Sequence, residues 1–271
     1  MNIRASMLPD YGDCARRAAV KQYRSTFEAH GYEFRTTVFG TAAAVGTAGH
    51  KGGELLMIRK WSHQPVKPQD VMDESIEGFK EEIKDGAEWD DKIPNANTAV
   101  SMIHAIIQAY YQGPYQTEMP ATIKGAPALE LSLKARISDG WLLTGHPDLF
   151  TNVGKVWDTK TGARLNPYYA QLGANSLLLR SAGETVTGAG IHFIKRPTKA
   201  APVTVCEPVD YPLAESERAA LAVIARIKAD MMAYQEHQRP DVFMCNLSSH
   251  LCSEKFCPAY GTKFCELSGR K

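Results

Sequence analysis

The chain has 271 residues, is 44% hydrophobic and 23% charged, and carries a formal net charge of +1. That is enough apolar material for a sizeable core. No stretch approaches the ~20 apolar residues a membrane-spanning helix needs, and the N-terminal MNIRASMLPDYGDCARRAAV lacks an apolar run of signal-peptide type, so a cytoplasmic protein without a membrane partner is expected.

The distribution of charge says more than its total. Asp70 to Asp91 holds ten acidic residues against Lys80 and Lys84, whereas Thr151 to Ala200 holds seven basic residues against Asp158 and Glu184. A basic half suits a polyanionic partner; the acidic stretch reads as a solvated helix.

Residues 10–30 read as the first helix, with Asp10 as a plausible N-cap, Cys14, Ala15, Ala18, Ala19 and Gln22 along one face, and Arg16, Arg17, Lys21 and Arg24 elsewhere. Cys14 alone reads as a small core residue. Residues 37–60 form a helix rich in small residues, with His50 between Gly49 and Lys51 and Glu54 one turn later. Each glycine costs about 1 kcal/mol relative to Ala in a helix, so Gly46, Gly49, Gly52 and Gly53 point to close packing, in the expectation that the neighbour is a site. The acidic helix follows over 70–91, then a helix over Asn95–Gln112 with an apolar stripe of Ala99, Met102, Ile103, Ile106 and Tyr110.

A strand is expected over Ala128–Ile137, where Leu129, Leu131, Leu133, Ala135 and Ile137 alternate with Glu130, Ser132, Lys134 and Arg136. This puts Glu130 on a polar face, which by pattern alone is an exposed glutamate. Thr144–Gly162 then reads as two strands around a turn at Asn152–Gly154. With Thr151 facing Lys155, Asp148 falls opposite Asp158, and Lys160 shares the Asp158 face. Opposed carboxylates repel unless a cation compensates, so two aspartates and a lysine on one face suit a metal site for hydrolytic chemistry. A helix is expected over Asn166–Arg180 with Pro167 in its first turn, then strands over Val186–Ile194 and Val203–Val209, and a helix over Leu213–Glu236. Four of the six cysteines, Cys245, Cys252, Cys257 and Cys265, crowd the tail, as metal or cluster ligands do in a reducing compartment. Cys206 reads as a buried thiol.

The ordered elements GTAGH at 46–50, Glu130, Pro147–Asp148, Asp158–Thr159–Lys160 and Tyr168–Tyr169–Ala170–Gln171 together resemble the PD-(D/E)XK nuclease superfamily, within it the RecB/AddB-like exonuclease branch. The resemblance spans about residues 40–182 and implies an α/β fold with a restriction-endonuclease-like central mixed β-sheet flanked by helices. It implies one nuclease domain over 1–271, with a helical insertion at 61–116 and a cysteine-rich clasp at 240–271. His50, Glu130, Asp148 and Asp158 would hold a catalytic magnesium or manganese ion. Lys160 would orient or help deprotonate the attacking water, and Gln171 and Tyr168 would contact substrate. Some members of the superfamily hold an iron–sulfur cluster with one cysteine before the core and three after it. Here these would be Cys14, Cys252, Cys257 and Cys265 around a 4Fe–4S cluster, the alternative being zinc with Cys245 in place of Cys14.

The implied activity is hydrolysis of DNA, single-stranded or with free ends, in recombination, repair or phage DNA metabolism. A DNA-trimming nuclease of CRISPR adaptation and a non-catalytic DNA-binding adaptor are the alternatives. No helicase motif such as GxxxxGK[ST] is present, so a stand-alone nuclease or the nuclease subunit of a larger assembly is expected, with a helicase, recombinase or integrase as the candidate partner.

Overall fold

A computed structural model describes the chain except residues 38–39, 85, 199–200 and 271. The first residues of the expected 37–60 helix, Asp85 of the acidic stretch and Lys199 and Ala200 of the basic stretch therefore fall outside the described residues.

β1 (Asn2–Arg4) opens the chain, and the helix expected over 10–30 is two helices, α1 (Met7–Asp13) and α2 (Ala15–Ala29). Cys14 separates them in an extended conformation, φ −149° and ψ 101°. Its amide closes α1 on the Asp10 carbonyl, while the Arg16 amide bonds the Met244 carbonyl of the tail. Asp10 is therefore not an N-cap; its carboxylate pairs with Arg17 and Lys21.

α3 (Thr41–Trp61), α4 (Pro68–Glu82), α5 (Ala96–Gln112) and α6 (Pro114–Thr117) follow. α4 stops well short of Asp91. Beyond it the Asp90 carboxylate accepts the Lys92 and Ile93 amides, turn chemistry that competes with helix. Gly46 faces Thr161, a Cβ there lying 3.3 Å from its Oγ1, but the other three α3 glycines pack on a helix rather than on the expected site. A Cβ at Gly49 would lie 2.6 Å from Ile106, one at Gly52 2.5 Å from Ile107 and one at Gly53 3.2 Å from Tyr110, all on α5.

β2 (Thr122–Ile123) and β3 (Ala126–Pro127) form a small hairpin before β4 (Leu133–Ser138) and β5 (Trp141–Gly145). The strand expected from Ala128 thus begins only at Leu133. β6 (Leu149–Phe150), β7 (Lys155–Gly162), α7 (Tyr169–Ser181), β8 (Gly188–Lys195), β9 (Cys206–Tyr211) and α8 (Leu213–His237) complete the fold. Pro167 lies before α7 rather than in its first turn.

Two mixed sheets result. One has the order β1-β5-β4, with β1 parallel and β4 antiparallel to β5; the other has the order β6-β7-β8-β9, with only β7 and β8 parallel. α7 makes the β7-to-β8 crossover that a parallel pair needs. Its buried Leu172 and Leu179 pack with Val156, Ile191 and Phe193 of the sheet. On the other side, α3, α4 and α5 bury Trp157, Leu149 and Ile194. A third cluster joins α1, α2 and α8 to the tail, where Phe27 meets Phe34, Tyr234, Phe243 and Phe264 ring to ring. Among the described residues no helix is long and apolar enough to cross a membrane.

Candidate active site

The hairpin that bears the aspartates has the register its sequence implies. Leu149 pairs with Trp157 and Phe150 with Val156, so Asp148 and Asp158 come next across the ladder. Thr151 closes the turn, its amide bonding the Lys155 carbonyl at 2.9 Å. Gly154 has φ +81°, and a Cβ there would lie 2.7 Å from the Thr185 carbonyl, so both conformation and space call for glycine.

Asp148 lies just outside β6. Its Oδ2 accepts the Thr159 amide at 2.6 Å and lies 2.8 Å from His50 Nε2 on α3. Glu130 approaches from the segment between β3 and β4, its Oε1 3.1 Å from the same His50 nitrogen. Its backbone is left-handed, φ +46°, and its amide donates to the Asp148 carbonyl at 3.3 Å. That conformation costs a non-glycine residue about 1–2 kcal/mol. It turns the side chain toward His50 rather than leaving it exposed on a strand face. Among the described residues, His50, Glu130 and Asp148 are the one group of three potential metal ligands whose donor atoms lie within 4.8 Å of one another.

Asp158 sits beside this group on β7 with different partners. It is 1% exposed; Gln171 Nε2 donates to its Oδ1 at 2.8 Å and Lys160 pairs with its Oδ2. Lys160 in turn lies 5.1 Å from the centroid of the Tyr168 ring, a cation–π arrangement. Tyr168 and Gln171 thus brace the lysine and the aspartate from the start of α7.

Three carboxylates within a few ångströms cannot all ionise freely. Burial and the Asp148 charge push Asp158 up to about 6, and burial with the same neighbour pushes Glu130 up to about 7. Asp148 is itself buried, which raises its pKa, but His50, Lys160 and the Thr159 amide hold it below its usual value. The Asp148 charge lifts His50 to about 9 against the opposing effect of burial. Lys160 is buried too, yet Asp158 and Asp148 raise it above its ordinary value. Such a cluster is short of positive charge, and each raised pKa marks a place where a cation can replace a proton.

Two supporting groups were not legible in the sequence pattern. The Thr159 amide fixes Asp148, and no side-chain type signals it. Behind β7, the neutral His192 stacks on Trp157 at 4.2 Å with Tyr110 edge-on at 6.0 Å. The β8 pattern shows only a buried histidine there. His146, two residues before Asp148, is exposed.

A second cluster lies at the chain ends. Cys14, Cys245, Cys252, Cys257 and Cys265 all line one small cavity, together with Arg16 and Arg17. None of the six cysteines is in a disulfide. Burial pushes the Cys257 thiol up to about 11, with the neighbouring Cys14 and Cys265 adding to the shift. Cys206 lies elsewhere, half-buried rather than fully buried, against Gly113.

No family model matches the sequence, and no curated protein matches it. Among solved structures, the chain aligns with a candidate exonuclease from Eubacterium rectale at a TM-score of 0.53 and 13% identity, over 83% of this chain and 79% of that one. The fold is restriction-endonuclease-like. An alkaline exonuclease from Laribacter hongkongensis aligns at a TM-score of 0.32 and 12% identity, over 68% of this chain and 91% of that one. Its complex with dAMP aligns at 0.31 and 14%, over 70% and 95%.

Proposed function

We propose that the chain is a metal-dependent deoxyribonuclease, an exonuclease of the RecB/AddB-like branch of the PD-(D/E)XK superfamily. The observation that carries this reading is the meeting of His50, Glu130 and Asp148 around one point beside the Asp158–Lys160 pair. The fold shared with the Eubacterium rectale protein supports it. His50, Glu130 and Asp148 would hold the ion, with Asp158 completing the set. When bound, a magnesium or manganese ion supplies positive charge at a phosphate and lowers the pKa of a bound water. The imidazole in the set favours manganese over magnesium, which prefers oxygen ligands alone.

The chain's own groups do the rest. Lys160, kept cationic by its two aspartates, donates hydrogen bonds to the attacking water and adds charge at the phosphate. Gln171 holds Asp158 in one orientation. Tyr168 supports Lys160 and faces the substrate strand. The substrate is DNA, single-stranded or with a free end, held mainly by its phosphates. The setting is recombination, repair or phage DNA metabolism in the cytoplasm of a bacterial or infected cell, alongside a separate helicase, recombinase or integrase. The nuclease domain takes in the whole chain, with 61–116 as a helical insertion.

We further propose that Cys14, Cys252, Cys257 and Cys265 hold a 4Fe–4S cluster that clasps the two chain ends. These thiols line one cavity where the first helices meet the tail, and such a convergence of ligands from both chain ends suits a cluster.

The test uses end-labelled DNA with manganese or magnesium. Asp158→Asn and Lys160→Ala should each lower cleavage by about 10²–10³-fold or more with unchanged circular dichroism. Wild-type cleavage by either variant overturns the assignment.

A further inference from the structure

We propose that Arg16 and Arg17 form a cationic wall of the cysteine cavity and set the reduction potential of the thiolate-bound iron–sulfur group held there; this rests on the cluster assignment above. Both guanidinium groups are deeply buried, Arg16 at 7% and Arg17 at 1% exposure, and both line the cavity with the five thiols. An arginine does not lose its proton in a protein, and a buried charge needs an opposite charge or a full set of hydrogen bonds.

Arg16 has a partial set of hydrogen bonds, and the carboxylates near it, Asp241 and Glu266, line a different cavity from the thiols. Its Nε donates to the Phe243 carbonyl at 3.2 Å and its Nη1 points to Cys265 Sγ at 3.7 Å. The carboxylate that responds to its charge is Asp241, an exposed residue of the tail. Inside the thiol cavity the group that its charge meets is the sulfur of Cys265, one of the proposed cluster ligands.

Arg17 differs. Its Nη atoms are committed to Asp13 at 2.8 Å, Ser249 at 3.3 Å and Asp10 at 3.4 Å, which fixes the plane of the guanidinium. Its Nε is buried without a partner. A buried unpaired donor is costly, and an acceptor sulfur in the cavity would remove that cost. The first turn of α2 adds to the same field, because Cys14 is its N-cap and the helix dipole is positive at that end.

A [4Fe–4S] core with four thiolates is an anion whose charge grows by one on reduction. Cations and hydrogen-bond donors at its edge stabilise the reduced state more than the oxidised one, and so raise the potential. The electron comes from the reductant, dithionite in the test, and no bond to the protein forms or breaks.

The full chain is purified anaerobically as wild type, Arg16→Gln, Arg16→Lys and Arg17→Lys. Iron, acid-labile sulfide and visible absorption are measured, and each protein is titrated with dithionite against redox dyes. Arg16→Gln should keep its iron and shift the reduction equilibrium at least tenfold toward the oxidised cluster, a potential lower by about 59 mV for a one-electron couple. Arg16→Lys, which keeps the charge, should recover most of the shift. Arg17→Lys, which keeps the charge but loses Nε, should shift in the same direction by less. A wild-type potential in Arg16→Gln at full iron content overturns the arginine proposal and leaves the cluster standing. Wild-type protein without iron and sulfide overturns both. If Arg16→Gln loses its iron, recovery in Arg16→Lys supports charge compensation, and loss in both variants with intact circular dichroism overturns it.

Discussion

A cation that settles between His50, Glu130 and Asp148 must displace protons, and the number follows from the site. His50 titrates at about 9 because Asp148 faces it, and Glu130 at about 7 because it is buried beside another carboxylate. At pH 7 the ion works against a histidine pKa about two units higher, roughly a hundredfold in affinity or about 3 kcal/mol. Between pH 7 and 9 the association constant for manganese should therefore rise about tenfold per pH unit. Below pH 7 Glu130 adds a second proton and, toward pH 6, Asp158 begins to add a third, so the slope steepens to about a hundredfold per unit and beyond. Isothermal titration calorimetry in buffers of different ionisation enthalpy counts these protons directly. About one should be released per ion at pH 8 and about one and a half at pH 7. In His50→Ala the release at pH 8 should fall, although Glu130 and Asp148 then titrate higher without the histidine charge that lowers them. Manganese affinity that is flat from pH 6 to 9, with no proton release, would refute the reasoning.

The same shifts carry a stability consequence. His50, Glu130 and Asp158 all bind protons more tightly folded than unfolded. The stability they contribute to the metal-free protein is present in acid and is lost as pH rises through about 6, 7 and 9. Asp148 has the opposite sign, its contribution lost as pH falls through its lowered pKa. Saturating manganese should accordingly raise the melting temperature more at pH 8 than at pH 6; an equal rise at both would count against the site. Glu130→Asn removes a carboxylate from the cluster and puts a residue tolerant of the left-handed region at φ +46°. It should melt at or above the wild-type temperature while losing metal-dependent cleavage, and a lower melting temperature would contradict the strain argument. Gly173 on α7 packs against α8 so closely that a Cβ would lie 1.9 Å from the Ser216 carbonyl. Gly173→Ala should cost about 3 kcal/mol or more, read by urea unfolding, and a loss under about 1 kcal/mol would show the helix pair to be looser than drawn.

The part of the site that lies on regular β-structure was legible in the sequence. Alternation and an Asn–Gly turn set the hairpin register, and the register sets Asp148 opposite Asp158 with Lys160 nearby. Gln171 and Tyr168 came from the resemblance of the 168–171 stretch to the superfamily's helix motif rather than from local pattern. What failed were places where tertiary contacts overrule local pattern. The alternation around Glu130 is strand-like, yet its amide bonds Asp148 and its backbone turns left-handed. The helix expected over 10–30 breaks at Cys14 because the tail supplies a partner for the Arg16 amide. α4 ends at Glu82, where a turn through the left-handed Gly86 follows, which a count of acidic residues does not reveal. Composition foretold a cysteine cluster in the tail. That Cys245 joins the same cavity as Cys14, and that two buried arginines line it, depends on how the chain ends meet.

The central claim is that one cation site on this hairpin makes the protein cleave DNA. The most direct measurement follows end-labelled single- and double-stranded DNA with anaerobically purified protein, as wild type and as Asp148→Asn, with manganese, with magnesium and with chelator. Wild type with metal should shorten the DNA from an end, and both the chelator and Asp148→Asn should stop it. DNA left intact by the wild-type protein under every metal condition, or cut equally by Asp148→Asn, would contradict the account.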